Sequence, residues 1–305
     1  MTQYEIIPKD TIDAIEESIQ RKRGSDAPIE PSEMPLAIDT IPSSVDGTDV
    51  PVGGIYLTKP DSDGNPTECY IIGYSPNTDY TWTDQIGFSY FPYLNKVSFI
   101  NCKKIKSIGN LAFQNCSSLA TINLPDSIAA IGNFAFQNCS SLATINLPNS
   151  IAAISSNTFQ NCSSLATINL PDSIAAIGSS AFQNCSSLAT INLPNSIATI
   201  GNSAFQNCSS LATINLPNSI AAISSNTFPF CSALTDVTIE SGFNCDKLNL
   251  SASTRYTAET IVSWLEALAD RTGQAPFTLT IGADNLNKLT AEQKAIATNK
   301  NWTLA

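Results

Sequence analysis

Apolar positions in the middle of the chain recur with a period far longer than that of a helix or a strand. Phe113, Phe136, Phe159, Phe182, Phe205 and Phe228 are 23 residues apart, and so are Cys116, Cys139, Cys162, Cys185, Cys208 and Cys231. The unit from Gln114 to Phe136, QNCSSLATINLPDSIAAIGNFAF, repeats nearly unchanged and back to back. A fixed period of about 20–50 residues marks a solenoid, in which each coil stacks on the next. Each unit reads C-x-x-L-x-x-I-x-L-P-x-x-I-x-x-I-x-x-x-A/T-F, as in Cys139, Leu142, Ile145, Leu147, Pro148, Ile151, Ile154, Thr158 and Phe159. The few large side chains of one unit bury too little surface to offset the entropy of ordering its backbone. Neighbouring coils have to supply the rest.

The segment L-x-x-I-x-L matches the strand of a leucine-rich repeat, one short strand per coil along one side of the stack. Alternation over residues 142–147 turns Leu142, Ile145 and Leu147 inward and leaves Thr144 and Asn146 outward. The equivalent outward residues are Thr121 and Asn123, Thr167 and Asn169, Thr190 and Asn192, and Thr213 and Asn215. Two ladders of small, uncharged hydrogen-bonding groups are therefore expected on the strand-lined face, which repeats itself without a distinct pocket. Such a face suits an extended, repetitive ligand held by many equal contacts. Duplication of the whole unit accounts for the same uniformity with no ligand, and the array is then a spacer.

The ends differ from the array. Residues 11–23 read as a helix, with Ile12, Ile15 and Ile19 at i, i+3 and i+7 and Gly24 as its stop. Arg21, Lys22 and Arg23 on its last turn complement the helix dipole. A stretch rich in Ser, Asp, Gly and Pro over 43–54 marks a linker, and residues 54–57 and 69–74 read as a hairpin. Tyr74, Tyr80, Trp82, Phe88, Tyr90, Phe91 and Tyr93 form the densest aromatic cluster. Phe88, Leu94, Val97 and Phe99 align with Phe113, Leu119, Ile122 and Leu124 at a constant offset of 25, which puts the cluster on a divergent first coil. Its rings either plug the open end of the stack or offer a platform to a sugar or partner protein.

Beyond Cys231, Leu234, Val237 and Ile239 continue the strand pattern with Asp236 and Thr238 outward. Thr257 is placed to cap a helix reaching Asp270, with Ile261, Leu265 and Leu268 on one face, Glu259 in the first turn and Gly273 as terminator. Residues 277–281 read as a strand, Thr290-x-x-Gln293 as the capping box of a helix reaching Thr298, and 302–304 as a short strand. Strand, helix and strand are expected to continue the solenoid sheet and seal its last coil, with Trp264 and Trp302 in the cap core. The chain divides into a helical module and linker (1–50), a hairpin and N-terminal cap (51–87), the solenoid (88–250) and an α/β cap (251–305).

Charge and candidate chemistry narrow the function classes. Net charge is −11, yet between Ser107 and Cys231 only Asp126 and Asp172 are charged. Nucleic acid is not an expected partner, because phosphate binding needs clustered Lys and Arg. The chain has no His, the commonest general base and nitrogen ligand. With no paired carboxylate motif and no nucleotide loop either, catalysis and cofactors are not expected. The 9 cysteines lack the C-x-x-C pairs of zinc sites, and one thiol per coil reads as a column of buried, reduced side chains. Asn115-Cys116-Ser117 has the glycosylation pattern, but a buried neighbouring Cys argues against its use. Asp126 and Asp172 follow Pro and read as turn residues. No run of about 18 apolar residues is present, so membrane insertion is not expected. No apolar stretch near Met1 is long enough for a secretory signal region.

The unit from Cys116 to Phe136, with Cys, Leu, Ile, Pro, Gly and Phe in register, closely resembles the BspA-like leucine-rich-repeat family over roughly residues 88–240. Members of that family are mostly bacterial surface proteins linked to adhesion and to binding host or matrix proteins, so the resemblance implies a binding role. Residues 14–41 and 279–305, through PSEMPLAI and KLTAEQKAIATNKNWTLA, resemble terminal modules of phage and prophage structural proteins. The expected architecture is α/β and strand-rich, a right-handed leucine-rich-repeat solenoid with an N-terminal helix and hairpin module and a C-terminal α/β cap. The expected function is non-enzymatic recognition of a protein or glycan ligand on a bacterial surface or phage particle. The alternative is a structural spacer or assembly subunit of a phage or prophage particle with no dedicated ligand, and an assembly role implies homo-oligomers through the N-terminal module.

Overall fold

In the coils at Thr121–Asn123, Thr144–Asn146 and Thr167–Asn169 the alternating pattern yields a strand only three residues long before proline ends it. A computed structural model describes residues 92–100, 105–224 and 226–305, and the backbone of the strands Tyr4–Ile7, Gly54–Thr58 and Glu68–Ile72. The strand Thr144–Asn146 shows the repeating design, with its central Ile145 buried between two exposed residues. Pro148 then opens a turn closed by a hydrogen bond from the Ile151 amide to its carbonyl at 3.1 Å, and the same bond recurs at Pro125, Pro171, Pro194 and Pro217. Asp126 and Asp172 occupy these turns, as expected. After each turn a second, two-residue strand forms, such as Ala153–Ile154, which pairs in parallel with Ala176–Ile177. This second column was not anticipated, because two residues are too few for a periodicity to show.

Parallel pairing joins each coil to the next at a shift of one unit. Thr144, Ile145 and Asn146 face Thr167, Ile168 and Asn169 on one side and Thr121, Ile122 and Asn123 on the other. Lys96–Ile100 precedes them, with Val97 opposite Ile122, and so carries the divergent first coil at the offset of 25. Glu68–Ile72 pairs in parallel with Lys96–Ile100 and antiparallel with Gly54–Thr58, while Tyr4–Ile7 closes the order. The hairpin is thus an extension of the solenoid sheet, and residues near the start of the chain add a strand that the sequence pattern did not indicate. The helix expected over 11–23 and most of the aromatic cluster lie outside the described residues. Tyr93, from that cluster, is half exposed at 50%.

The core is built of columns of identical side chains. Successive Phe rings from Phe113 to Phe228 stack with centroids 5.2–5.6 Å apart and planes within 12° of parallel, all buried. Beside them, the thiol of Cys139 donates to the Phe113 carbonyl of the preceding coil at 3.1 Å, and Cys162, Cys185, Cys208 and Cys231 repeat that contact. The six column cysteines and Cys245 are buried and reduced, in keeping with small apolar packing groups. Burial raises the pKa values of Cys139, Cys162, Cys185 and Cys208, and pushes Cys231 up to about 12 and Cys245 to about 11.

Two coil types occur around a tight contact. Gly132, Gly178 and Gly201 accompany Ala135, Ala181 and Ala204, whereas Ser155 and Ser224 accompany Thr158 and Thr227. A Cβ on Gly178 would lie 2.6 Å from the Ser156 amide nitrogen, so this coil admits only glycine there without a shift. In the other type the fully buried Thr158 hydroxyl donates to the Ser155 carbonyl at 2.8 Å, which satisfies its polar group.

The C-terminal segment departs from expectation in how it seals the stack. Helix α1, Ala258–Ala267, is capped by Thr257, whose hydroxyl accepts from the Thr260 amide. It ends before Asp270 because Leu268 leaves the helix to bridge Phe243, with the Ala269 amide donating to the Phe243 carbonyl at 2.9 Å. Gly273 takes a left-handed φ of 81° within the loop beyond, not at the helix end. Helix α2, Ala283–Leu286, is a single turn, and α3, Ala291–Asn299, carries the expected capping box between Thr290 and Gln293. Leu248–Asn249, Phe277–Thr280 and Trp302–Leu304 form their own three-stranded parallel sheet and do not extend the solenoid sheet. The last solenoid strand, Asp236–Ile239, is covered by α1 instead, where buried Trp264 donates through Nε1 to the Val237 carbonyl at 2.6 Å.

Replacing Phe182 by Ala removes one ring from the middle of the column and is expected to cost about 3–5 kcal/mol, measured by urea denaturation against the parent. The buried thiols stay protonated in the folded chain above the pH at which they ionise when unfolded. The folded state then holds more protons, so their contribution is complete below about pH 8.5 and falls as pH rises toward the folded values. Thermal melts are expected to shift downward progressively above about pH 9, and a Cys162→Ala, Cys185→Ala double variant is expected to show a shallower decline.

Candidate binding surface

The strand-lined face is built by the outward residues of successive short strands. Thr121, Thr144 and Thr167 stand opposite one another, as do Asn123, Asn146 and Asn169. An isolated parallel bridge between Asn169 and Asn192 carries the second ladder onward, and Thr190 faces Thr213. Thr121, Asn123, Thr144, Asn146, Thr167, Asn169, Thr190 and Asn192 are exposed. Their side chains make no hydrogen bond among the described residues, so their donors and acceptors are open to solvent.

The last pair differs. Thr213 and Asn215 are half-buried, and the Asn215 side-chain amide accepts from the Leu193 amide at 3.1 Å and donates to the Leu193 carbonyl at 3.2 Å. The strand here lengthens to Thr213–Leu216, and the fully buried Leu216 draws its neighbours toward the core. The open ladders therefore span four coils, not five. Lys96 and Asp236, both exposed, stand opposite Thr121 and Thr213 and bound the neutral face at its two ends.

Contrary to expectation, the face is not uniform. An open depression of about 390 Å³ lies beside Asn192, lined by Leu170, Asp172, Asn192, Leu193, Pro194, Asn195 and Ser196. It marks a step between coils. Strand Thr190–Ile191 ends one residue early, and Leu193 and Pro194 are buried where their counterparts Leu170 and Pro171 are half-buried. Leu147 is half-buried too, so the third inward position of the pattern is only partly enclosed in the middle coils.

A second amide array, not anticipated, runs along the turns that follow the Phe column. Asn115, Asn138, Asn161, Asn184 and Asn207 adopt left-handed φ values of 60–64°, which Asn tolerates better than most residues. Their amides bond from coil to coil at 2.6–2.7 Å, and Gln114, Gln137, Gln160, Gln183 and Gln206 form a parallel chain. The glycosylation pattern at Asn115 thus falls on a ladder whose amide groups are engaged in the fold. The signal for it was the recurrence of Gln-Asn ahead of Cys116, Cys139, Cys162, Cys185 and Cys208, which the backbone conformation explains. Both chains stop at Pro229 and Phe230, which replace Gln and Asn in the next coil.

Among the described residues no group of three or more Cys, Asp or Glu is placed to hold a metal ion. No curated protein sequence matches the chain. Solved structures of similar proteins include a T. pallidum leucine-rich-repeat protein at 24% identity, covering 85% of this chain and 97% of that one with a TM-score of 0.49. A leucine-rich-repeat protein from Bacteroides ovatus is 25% identical, covering 59% of this chain and 54% of that one with a TM-score of 0.41. A leucine-rich cell surface protein from Faecalibacterium prausnitzii is 20% identical, covering 84% and 94% with a TM-score of 0.36. The BspA type leucine rich repeat region family matches in 6 copies, over residues 84–208 and 153–261. With its Cys, Leu, Ile, Pro and Phe positions in those repeats and more than half of its length matched, the chain belongs to the BspA type leucine-rich-repeat family.

Proposed function

We propose that this protein is a non-enzymatic recognition protein whose strand-lined face, from Thr121 and Asn123 to Thr190 and Asn192, binds an extended glycan or protein on a bacterial surface or a phage particle. The observation that carries this reading is the contrast between two sets of amides. Those on the turns are tied to one another, while the Thr and Asn side chains on the strands are in register, exposed and without partners among the described residues. Adjacent strands lie about 4.8 Å apart, so a ligand with regularly spaced polar groups meets an equivalent contact at each coil. The Thr and Asn ladders themselves carry no charge, which favours a largely neutral ligand along them, with Asp172 the one charged group at the depression beside Asn192. No helix among the described residues is long and apolar enough to cross a membrane.

The test is binding of the purified chain to arrays of glycans, cell-wall fragments and extracellular-matrix proteins. Thr and Asn are changed to Ala one coil at a time. Each altered coil is expected to weaken binding by about two- to ten-fold, the range of one or two net hydrogen bonds. Undiminished binding with all four coils altered would sink this reading.

One observation favours assembly as a second role. Among the described residues Tyr4–Ile7 ends the sheet order, and an edge strand is a template for pairing with another chain. Deleting residues 1–50 is expected to convert any homo-oligomer seen by light scattering to monomer, and an unchanged mass would argue against this role.

A further inference from the structure

A feature outside the strand-lined face stands where the amide ladders stop. Phe230 occupies the position held by Asn in the five preceding coils and keeps the same left-handed backbone, with φ of 62°. Asn tolerates that conformation far better than a bulky aromatic residue. Phe230 is 66% exposed, so the local strain is not offset by burial. The substitution therefore brings no evident gain to the fold. Phe230 borders an open depression of about 500 Å³, lined by Pro229, Asn226, Ser232, Asn249 and Ser251 among others, and sharing no residue with the strand-lined face. Asn249 is partly engaged, its Oδ1 accepting from the Ser251 amide at 3.0 Å and hydroxyl at 2.7 Å, which fixes the side chain and leaves its Nδ2 as a donor. The Asn226 side-chain amide and the Ser232 hydroxyl make no hydrogen bond among the described residues.

We infer that this depression is a subsite for one pyranose ring of a neutral glycan. An exposed aromatic face gives a platform for the C–H side of a sugar ring, and amides and hydroxyls around it match the donors and acceptors of the ring's hydroxyls. The lining carries no charge, which disfavours phosphate or carboxylate ligands. Its open form, with polar groups of Asn226, Ser232, Asn249 and Ser251 beside the aromatic face, disfavours an apolar peptide side chain, which needs an enclosed site. A volume within the range of about 300–1,000 Å³ suits a small cyclic group.

The probe is a panel of methyl pyranosides of glucose, galactose, mannose and N-acetylglucosamine, examined with the full chain by saturation-transfer NMR. At least one is expected to bind with a Kd of about 1 mM or weaker, an affinity usual for a single small contact site. Transfer is expected to be strongest at the protons of one ring face. Phe230→Asn restores the residue of the other coils. It is expected to match or exceed the parent in urea stability while weakening sugar binding at least about ten-fold, as removal of an anchoring aromatic does. Asn249→Ala is expected to weaken binding too, and the variant with its strand-face Thr and Asn removed is expected to retain it, so the two surfaces fail or succeed separately. The inference is overturned if no pyranoside shows transfer, if Phe230→Asn binds as the parent does, or if that variant is markedly less stable, which would make Phe230 a structural residue.

Discussion

The whole structure depends on the registration of one coil on the next at a shift of a single unit. Because most buried side chains recur at each step, Phe on Phe, Ile on Ile and Cys on a Phe carbonyl build continuous columns. No coil has an interior of its own. The packing density of a protein core is reached only between coils, which is why a slip of register would cost contacts in all columns at once.

The same registration determines where polar groups are satisfied. In the turns after the Phe column, left-handed Asn residues bring their amides within hydrogen-bond distance of those above and below, and the ladder consumes its own donors and acceptors. On the strands the backbone is paired to the neighbouring coil, and the Thr and Asn side chains point away from it. One array is therefore part of the scaffold, and the other is available for contact. The distinction follows from backbone conformation, since the residue type is the same amide in both places.

A stack of this kind has two exposed ends, and each is closed differently. At the N-terminal end, strands from the hairpin and from Tyr4–Ile7 continue the sheet. At the C-terminal end a sheet of separate strands and the helix carrying Trp264 cover the last coil, and the amphipathic side chain both fills apolar space and satisfies the Val237 carbonyl. Between array and cap, Pro229 and Phe230 interrupt the amide chains, and a depression opens beside them.

The repeat, the inward and outward positions of its main strand, the reduced cysteine column and the capping box at Thr290 were legible in the sequence, because each rests on local spacing or on a fixed period. The second column of two-residue strands, the tied Gln and Asn amides and the left-handed backbone of Asn115 and its equivalents were not, since they arise only when a coil meets its neighbour. The same holds for the withdrawal of Thr213 and Asn215 from the open face, the step beside Asn192, and the early end of α1. By itself the sequence determined the coil and its stacking period, through the pattern of apolar side chains that must be buried. Only the tertiary structure decided which of the polar repeats are used up within the scaffold and which remain open, because that depends on distances between residues 23 positions apart.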